Sequence, residues 1–225
     1  MTPGIARAAR LVAPALLALL AGGCVAPDGG AGAGGLRPPL DTVLDRLPQE
    51  ASGFGRGVTT DMEASQPGQG RAVDYATLAG PDVAARAAVA AVTLYDHGMP
   101  PLPPDTPVAT VTVKLEEGVA EALNPAPGRS MAESTRHVLP AEGGGPLQCA
   151  VLEGTYGRSP MWQQVCVGVA AGRFLKVFVA VPTRQKTLLQ LDADAFTLDI
   201  ARAARGLAPV PPRPLAGPAA GAVIP

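Results

Sequence analysis

Between Leu147 and Val181 three β-rich stretches follow one another almost without interruption, and this run limits the possible folds more than any other feature. LQCAVLEGTY (147–156), MWQQVCVGVA (161–170) and RFLKVFVAV (173–181) are rich in β-branched and aromatic residues. The segments between them, YGRSP and Ala171-Gly172, carry turn chemistry. Together they predict a three-stranded antiparallel meander. In the third stretch Leu175, Val177, Val179 and Val181 form a cleanly apolar face, opposite a mixed face of Phe174, Lys176, Phe178 and Ala180. That asymmetry suits one covered face and one covered only in part. Folding 147–170 about Gly157-Arg158 sets Cys149 directly opposite Cys166. Opposed residues in an antiparallel pair have Cα atoms about 4.5 to 5.5 Å apart, within reach of a disulfide. The spacing predicts that cross-strand bond, worth roughly 3 kcal/mol for a loop of this length. The alternative is two buried thiols. A redox-active pair lacks support, because there is no Cys-x-x-Cys motif.

Upstream, short strands are expected at 53–60 and 71–77, and STRHVL (134–139) adds a further one. ARAAVAAVTLYD (85–96) has helix-favouring alanines but a Val-Thr-Leu-Tyr end, and is read as a strand. The run PPLPPDTP then forces an extended connector. After it Val108, Val111, Leu115, Val119, Ala122 and Leu123 recur at helical spacing, with Asp105 or Thr106 as the expected cap. A last helix is expected from about 182 to 205. Leu188, Leu191, Ala195, Phe196, Ile200 and Ala203 would share its face, and Gly206 would stop it. The sum is an α+β fold: an antiparallel β-sheet with a C-terminal meander, packed by about two helices.

The N-terminus addresses location. Arg7 and Arg10 precede LVAPALLALLA, an apolar run too short for a bilayer core, which needs about 20 residues in a helix. A basic start, a short apolar run and small residues make a secretory signal peptide, residues 1–23. Leu20-Ala21-Gly22-Gly23-Cys24 resembles the lipobox of bacterial lipoproteins, with Ala21 where that family most often has Leu. The resemblance implies cleavage before Cys24, thioether lipidation of its sulfur, and acylation of the new amino end by a chain such as palmitate. Three acyl chains hold far more firmly than one. Val25 stands where the family's inner-membrane retention signal is often Asp, so the resemblance points to the periplasmic face of the outer membrane.

Removing the signal takes away two Arg and no acid, leaving 16 basic against 19 acidic residues. A chain so balanced lacks the basic face that nucleic-acid binding requires. Residues 24–40 read as a Gly- and Pro-rich tether, 41–207 as a single α+β domain, and 208–225 as a disordered Pro-rich tail. The order of strands and helices is similar to that of small PsbP/Mog1-like α+β domains and of envelope lipoproteins of unknown function. The likeness is one of layout and carries no specific motif.

No catalytic constellation stands out. His97 lies beside Asp96, but neighbouring strand residues point to opposite faces, so the pair reads as a polar turn. His137 is expected on a strand, facing solvent. Glu116, Glu117 and Glu121 read as a solvated helix face. GFGRG (53–57) lacks the Lys-Ser/Thr ending of a phosphate loop and reads as a turn. Ser130, Ser134 and Ser159 sit in no nucleophile elbow. Trp162 is expected in the core. Arg56, Arg71 and Arg173 are candidate contacts for anionic glycans, or scattered surface residues. No metal-ligand spacing and no cofactor motif appear. The sequence therefore points to a lipid-anchored envelope protein, more simply an accessory or binding module with an envelope protein partner than an enzyme. The alternatives are a structural lipoprotein with a wall-reaching tail and an envelope enzyme of unrecognised type.

Overall fold

The computed structural model describes residues 37–79 and 85–208. The expected signal peptide, Cys24, most of the tether and all but the first residue of the tail lie outside the described residues.

Within them the chain builds a sheet-rich α+β fold: an eight-stranded, wholly antiparallel sheet with four helices. The elements are α1 (Leu40–Arg46), β1 (Glu50–Ala51), β2 (Phe54–Asp61), β3 (Arg71–Thr77) and β4 (Val89–Tyr95), then α2 (Val108–Leu123). There follow β5 (Arg129–Leu139), β6 (Leu147–Tyr156), β7 (Ser159–Ala170), β8 (Arg173–Pro182), α3 (Thr183–Leu189) and α4 (Ala193–Ala204). The strand order is β1-β2-β3-β4-β8-β7-β6-β5. The chain thus leaves the middle of the sheet at β4, crosses along α2 to the far edge at β5, and returns strand by strand to place β8 against β4.

The register follows from the two tight turns. Ala171 and Gly172 both adopt positive φ (51° and 74°) and close the β7–β8 hairpin, the backbone that matches strand twist in a two-residue loop. Gly157-Arg158 closes β6–β7 and pairs Cys149 with Cys166. Their sulfurs are bonded, with Cα atoms 4.1 Å apart.

Side-chain alternation then sorts two cores. One face of β8 carries Leu175, Val177, Val179 and Val181, all fully buried beneath α1 and α4 with Phe54, Tyr75 and Phe196. The other face buries Phe174 with Val165, Val167, Leu152 and Ala150 beneath Val111, Leu115, Val119 and Ala122 of α2. The helical spacing of these α2 residues overrides the β preference of its Val-Ala-Thr-Val-Thr-Val opening, because only a helix puts all four on the sheet.

Several expectations are corrected. Among the described residues there are four helices: α2 and the α3–α4 pair stand where the two expected helices lay, and α1 is additional. Residues 40–46, at the tether boundary, form α1, which buries Val43 and Leu44. The long final helix is two: Gln190 takes a left-handed conformation (φ 49°), and the Asp192 carboxylate accepts from Ala195 N at 2.8 Å to cap α4 afresh. The break rotates the faces, so Leu188 is 62% exposed and the buried stripe is Ala193, Phe196, Thr197, Ile200, Ala201 and Ala204. Gly206 does end α4: its N–H donates to Ala203 O, and Leu207 N donates to Arg202 O. Neither Asp105 nor Thr106 caps α2. Pro107 holds that position, and the Thr106 hydroxyl donates to Pro103 O at 2.6 Å instead. Of GFGRG only Gly53 lies in a turn, with φ 84°, while Phe54–Gly57 open β2, and β5 begins at Arg129, five residues earlier than STRHVL implied.

Candidate functional site

The crossover decides where the open surface lies. Because α2 runs from the centre of the sheet to the β5 edge, it covers β6, β7 and part of β8. No described helix lies on the same face of β3 and β4. A groove of about 560 Å³ opens between α2 and this bare half, within the range of small-molecule sites.

Small residues make it deep. Ala72 and Ala91 supply the floor with Thr93, Val165 and Phe178, while Gly118 and Ala122 form the inner wall on α2. Gly118 lets the helix lie close: a Cβ there would stand 3.0 Å from Val165 Cγ1 and 3.5 Å from the Lys176 stem. One end is closed by Tyr95, His97, Met62 and Gln69, the other by Arg129. The loop carrying Met62 and Gln69 is cinched by Glu63, whose carboxylate accepts from Gly68 N at 3.0 Å and Gly70 N at 2.8 Å. Those bonds hold the Glu63 carboxyl below its usual range. Gly70 is obligatory, since a Cβ would fall 1.7 Å from Leu94 O.

The charges are layered. Lys114 pairs with Glu117 at 2.7 Å and Lys176 with Glu121 at 2.6 Å. Lys176 borders the groove and is 20% exposed, while Glu121 stands 71% exposed at the rim; Lys114 is not part of the groove lining. His97 Nε2 lies 3.9 Å from Glu117 Oε2, and its ring meets Tyr95 edge-on at 4.8 Å. The Tyr95 phenol is pushed up by burial, with Glu117 and Glu121 adding to the shift. Arg129 closes its end by donating to Ala122 O and lies 3.4 Å from Gln163 Oε1.

The remaining residues singled out in the sequence are otherwise engaged. Asp96 turns away from His97 and pairs with Arg37 at 2.6 Å and more loosely with Arg173 at 3.7 Å. Each of the three arginines has partners within the fold. Arg173 is buried and donates to Pro38 O, Arg56 donates to Leu47 O, and Arg71 pairs with Asp41 and Asp61. Burial, with Arg37 nearby, lowers the Arg173 pKa. His137 does not simply face solvent: it is half-buried, 3.1 Å from Asp194 Oδ1, an oxygen that also accepts from Gln164 Nε2 at 3.0 Å. Trp162 is in the core, with the Lys186 ammonium 4.2 Å above its ring. Glu116 pairs with Arg136, so two of the three glutamates brace neighbouring strands and only Glu117 and Glu121 border the groove. Ser130, Ser134 and Ser159 are exposed on β5 and β7.

Among the described residues no three His, Cys, Asp or Glu side chains gather as a metal site, and no helix is long and apolar enough to cross a membrane. No motif in the sequence announces the groove. Its one local sign was Lys176 between Phe174 and Phe178. Comparison with protein-family models and with curated proteins finds no match for this chain.

Proposed function

We propose that this chain is a lipid-anchored cell-envelope binding module, held through Cys24 at the periplasmic face of the outer membrane, with the groove beside α2 as its binding site. The observation that carries the binding role is the groove itself: an apolar floor of small residues with a few polar groups around it, the usual make-up of a ligand site. The anchor rests on the N-terminal basic and apolar run ending in Ala-Gly-Gly-Cys. In this reading the C-terminal meander is the rigid frame, with α2 and α4 as its principal cover.

Arg37, the first described residue, donates to Met99 O at 2.6 Å and to Gly172 O at 3.2 Å, and pairs with Asp96, next to His97 at the groove's end. The stretch from Cys24 to Arg37 spans at most about 45 Å.

Two measurements test this. Feeding cells an alkyne-tagged palmitate should label the wild-type chain and leave the Cys24→Ala form unlabelled; equal labelling of both, or none of either, refutes the anchor. Crosslinking in the native envelope should capture one defined partner or ligand with the wild-type chain and lose it with Ala91→Phe, which fills the groove floor. Capture unaffected by Ala91→Phe refutes the groove as the binding site.

A further inference from the structure

We infer that the groove receives a small amphiphilic anion, an apolar body carrying one carboxylate or phosphate group, with Lys176 as its charge partner. This deepens the binding reading above and rests on it.

Lys176 occupies an unusual place. It stands in the middle of β8 between Phe174 and Phe178, flanked across the sheet by Thr93 and Val167. Its stem passes beneath Gly118. An ammonium on this face is costly to desolvate unless it is paired. Its one ion-pair partner among the described residues is Glu121, a mostly exposed carboxylate that α2 leaves free to rotate into water. Glu117, the other carboxylate bordering the groove, is 50% exposed and pairs with Lys114, which is not part of the groove lining. The carboxylates at the rim thus stand where the anionic group of a ligand would sit. When such a group enters, Glu121 is displaced into solvent at little cost, and the partly buried Lys176 keeps a partner. A cationic group could pair with Glu117 or Glu121 only at the exposed rim, where an ion pair is worth little, and would take from Lys176 its partner.

The apolar body follows from the floor. Ala72, Ala91, Val165 and Phe178 run along the groove from Lys176. Chain or ring carbons laid there remove apolar surface from water on both sides, about 25 cal/mol per Å². Arg129 at the far end adds a second cation at the margin of the same groove.

The test uses the full chain carrying Cys24→Ala, so that no acyl group of its own enters the groove. Calorimetric titration compares four probes below their micellar concentrations: dodecyl phosphate, dodecyltrimethylammonium, dodecyl maltoside and inorganic phosphate. Dodecyl phosphate should bind at one site and tighter than the other three. Lys176→Gln should weaken it about tenfold or more, as expected for loss of one hydrogen bond to a charged group. Ala91→Phe should abolish it while thermal unfolding confirms a folded chain. If Lys176→Gln does not fold, Lys176→Met, which keeps the packed stem, replaces it. Equal binding of all three dodecyl probes, lost in Ala91→Phe, overturns the assignment of an anion but leaves the groove as a site. An affinity for dodecyl phosphate unchanged by both variants overturns the assignment and the groove together, as does the absence of binding.

Discussion

Phe196→Ala should be among the most damaging single changes in this chain. Phe196 lies on α4 and is fully buried. Its ring centroid is 4.6 Å from that of Phe54 and 5.3 Å from that of Tyr75, the second contact being edge-on. It therefore joins the helix layer to β2 and β3 across the sheet face. Removing a buried Phe side chain costs about 3–5 kcal/mol, and the upper part of that range applies when neighbours cannot collapse into the space. Here they cannot. Tyr75 is fixed by its hydroxyl donating to Pro48 O at 2.8 Å, and burial pushes its pKa up to about 12. Phe54 is held at the first ladder pair of β2 with β3. The expected loss is about 4–5 kcal/mol, which lowers Tm by roughly 8–20 °C for a domain of this size. Urea unfolding followed by the fluorescence of Trp162, the single tryptophan, measures it. That ring is only 8% exposed in the same core and should respond strongly on unfolding. A loss below about 2 kcal/mol with an unchanged m-value refutes the claim that the aromatic cluster is rigid.

Reduction of Cys149–Cys166 should cost roughly 3 kcal/mol through the freed loop, read as a lower urea midpoint with dithiothreitol than without; identical midpoints refute it. Acid should weaken the loop at 62–70 before the rest of the domain. The folded-state pKa of Glu63 is depressed by the Gly68 and Gly70 N–H groups, so its contribution is present above the unfolded carboxylate pKa and is lost as pH falls through the lower folded value. The protection factors of the Gly68 and Gly70 amides, exchange rates corrected for the intrinsic pH dependence, should fall over that range in the wild type. In Glu63→Gln they should be low already at neutral pH, and high, pH-insensitive protection in both forms refutes the role of the carboxylate.

Much of the secondary structure was legible because its causes are local. The boundaries of β3, β6 and α2 follow from alternation, helical spacing and turn residues, all of which act over a few positions. The Cys149–Cys166 pairing was legible for the same reason, since a two-residue turn at Gly157-Arg158 sets the register for every residue of the hairpin. The split between α3 and α4 was also written locally, in the Asp192 cap. It was overlooked because Leu188 and Leu191 continue a plausible helical stripe past the break. The short helix α1 could not be read, because seven residues are too few to show a period and its stability comes from burying Val43 and Leu44 under the distant α4.

The candidate site belongs to the other category. Lys176 on β8, Glu121 and Gly118 on α2, Ala72 on β3 and Ala91 on β4 are far apart in the chain and meet only because β8 docks against β4 while α2 crosses to the β5 edge. The sequence by itself determined the three strands and two turns of the C-terminal meander, which cysteines pair, and that one face of β8 would be only partly covered. What covers that face, how deep the uncovered half is and which charges lie at its base were decided by tertiary structure, because they depend on which long-range pairing buries the most apolar surface, and no local pattern encodes that choice.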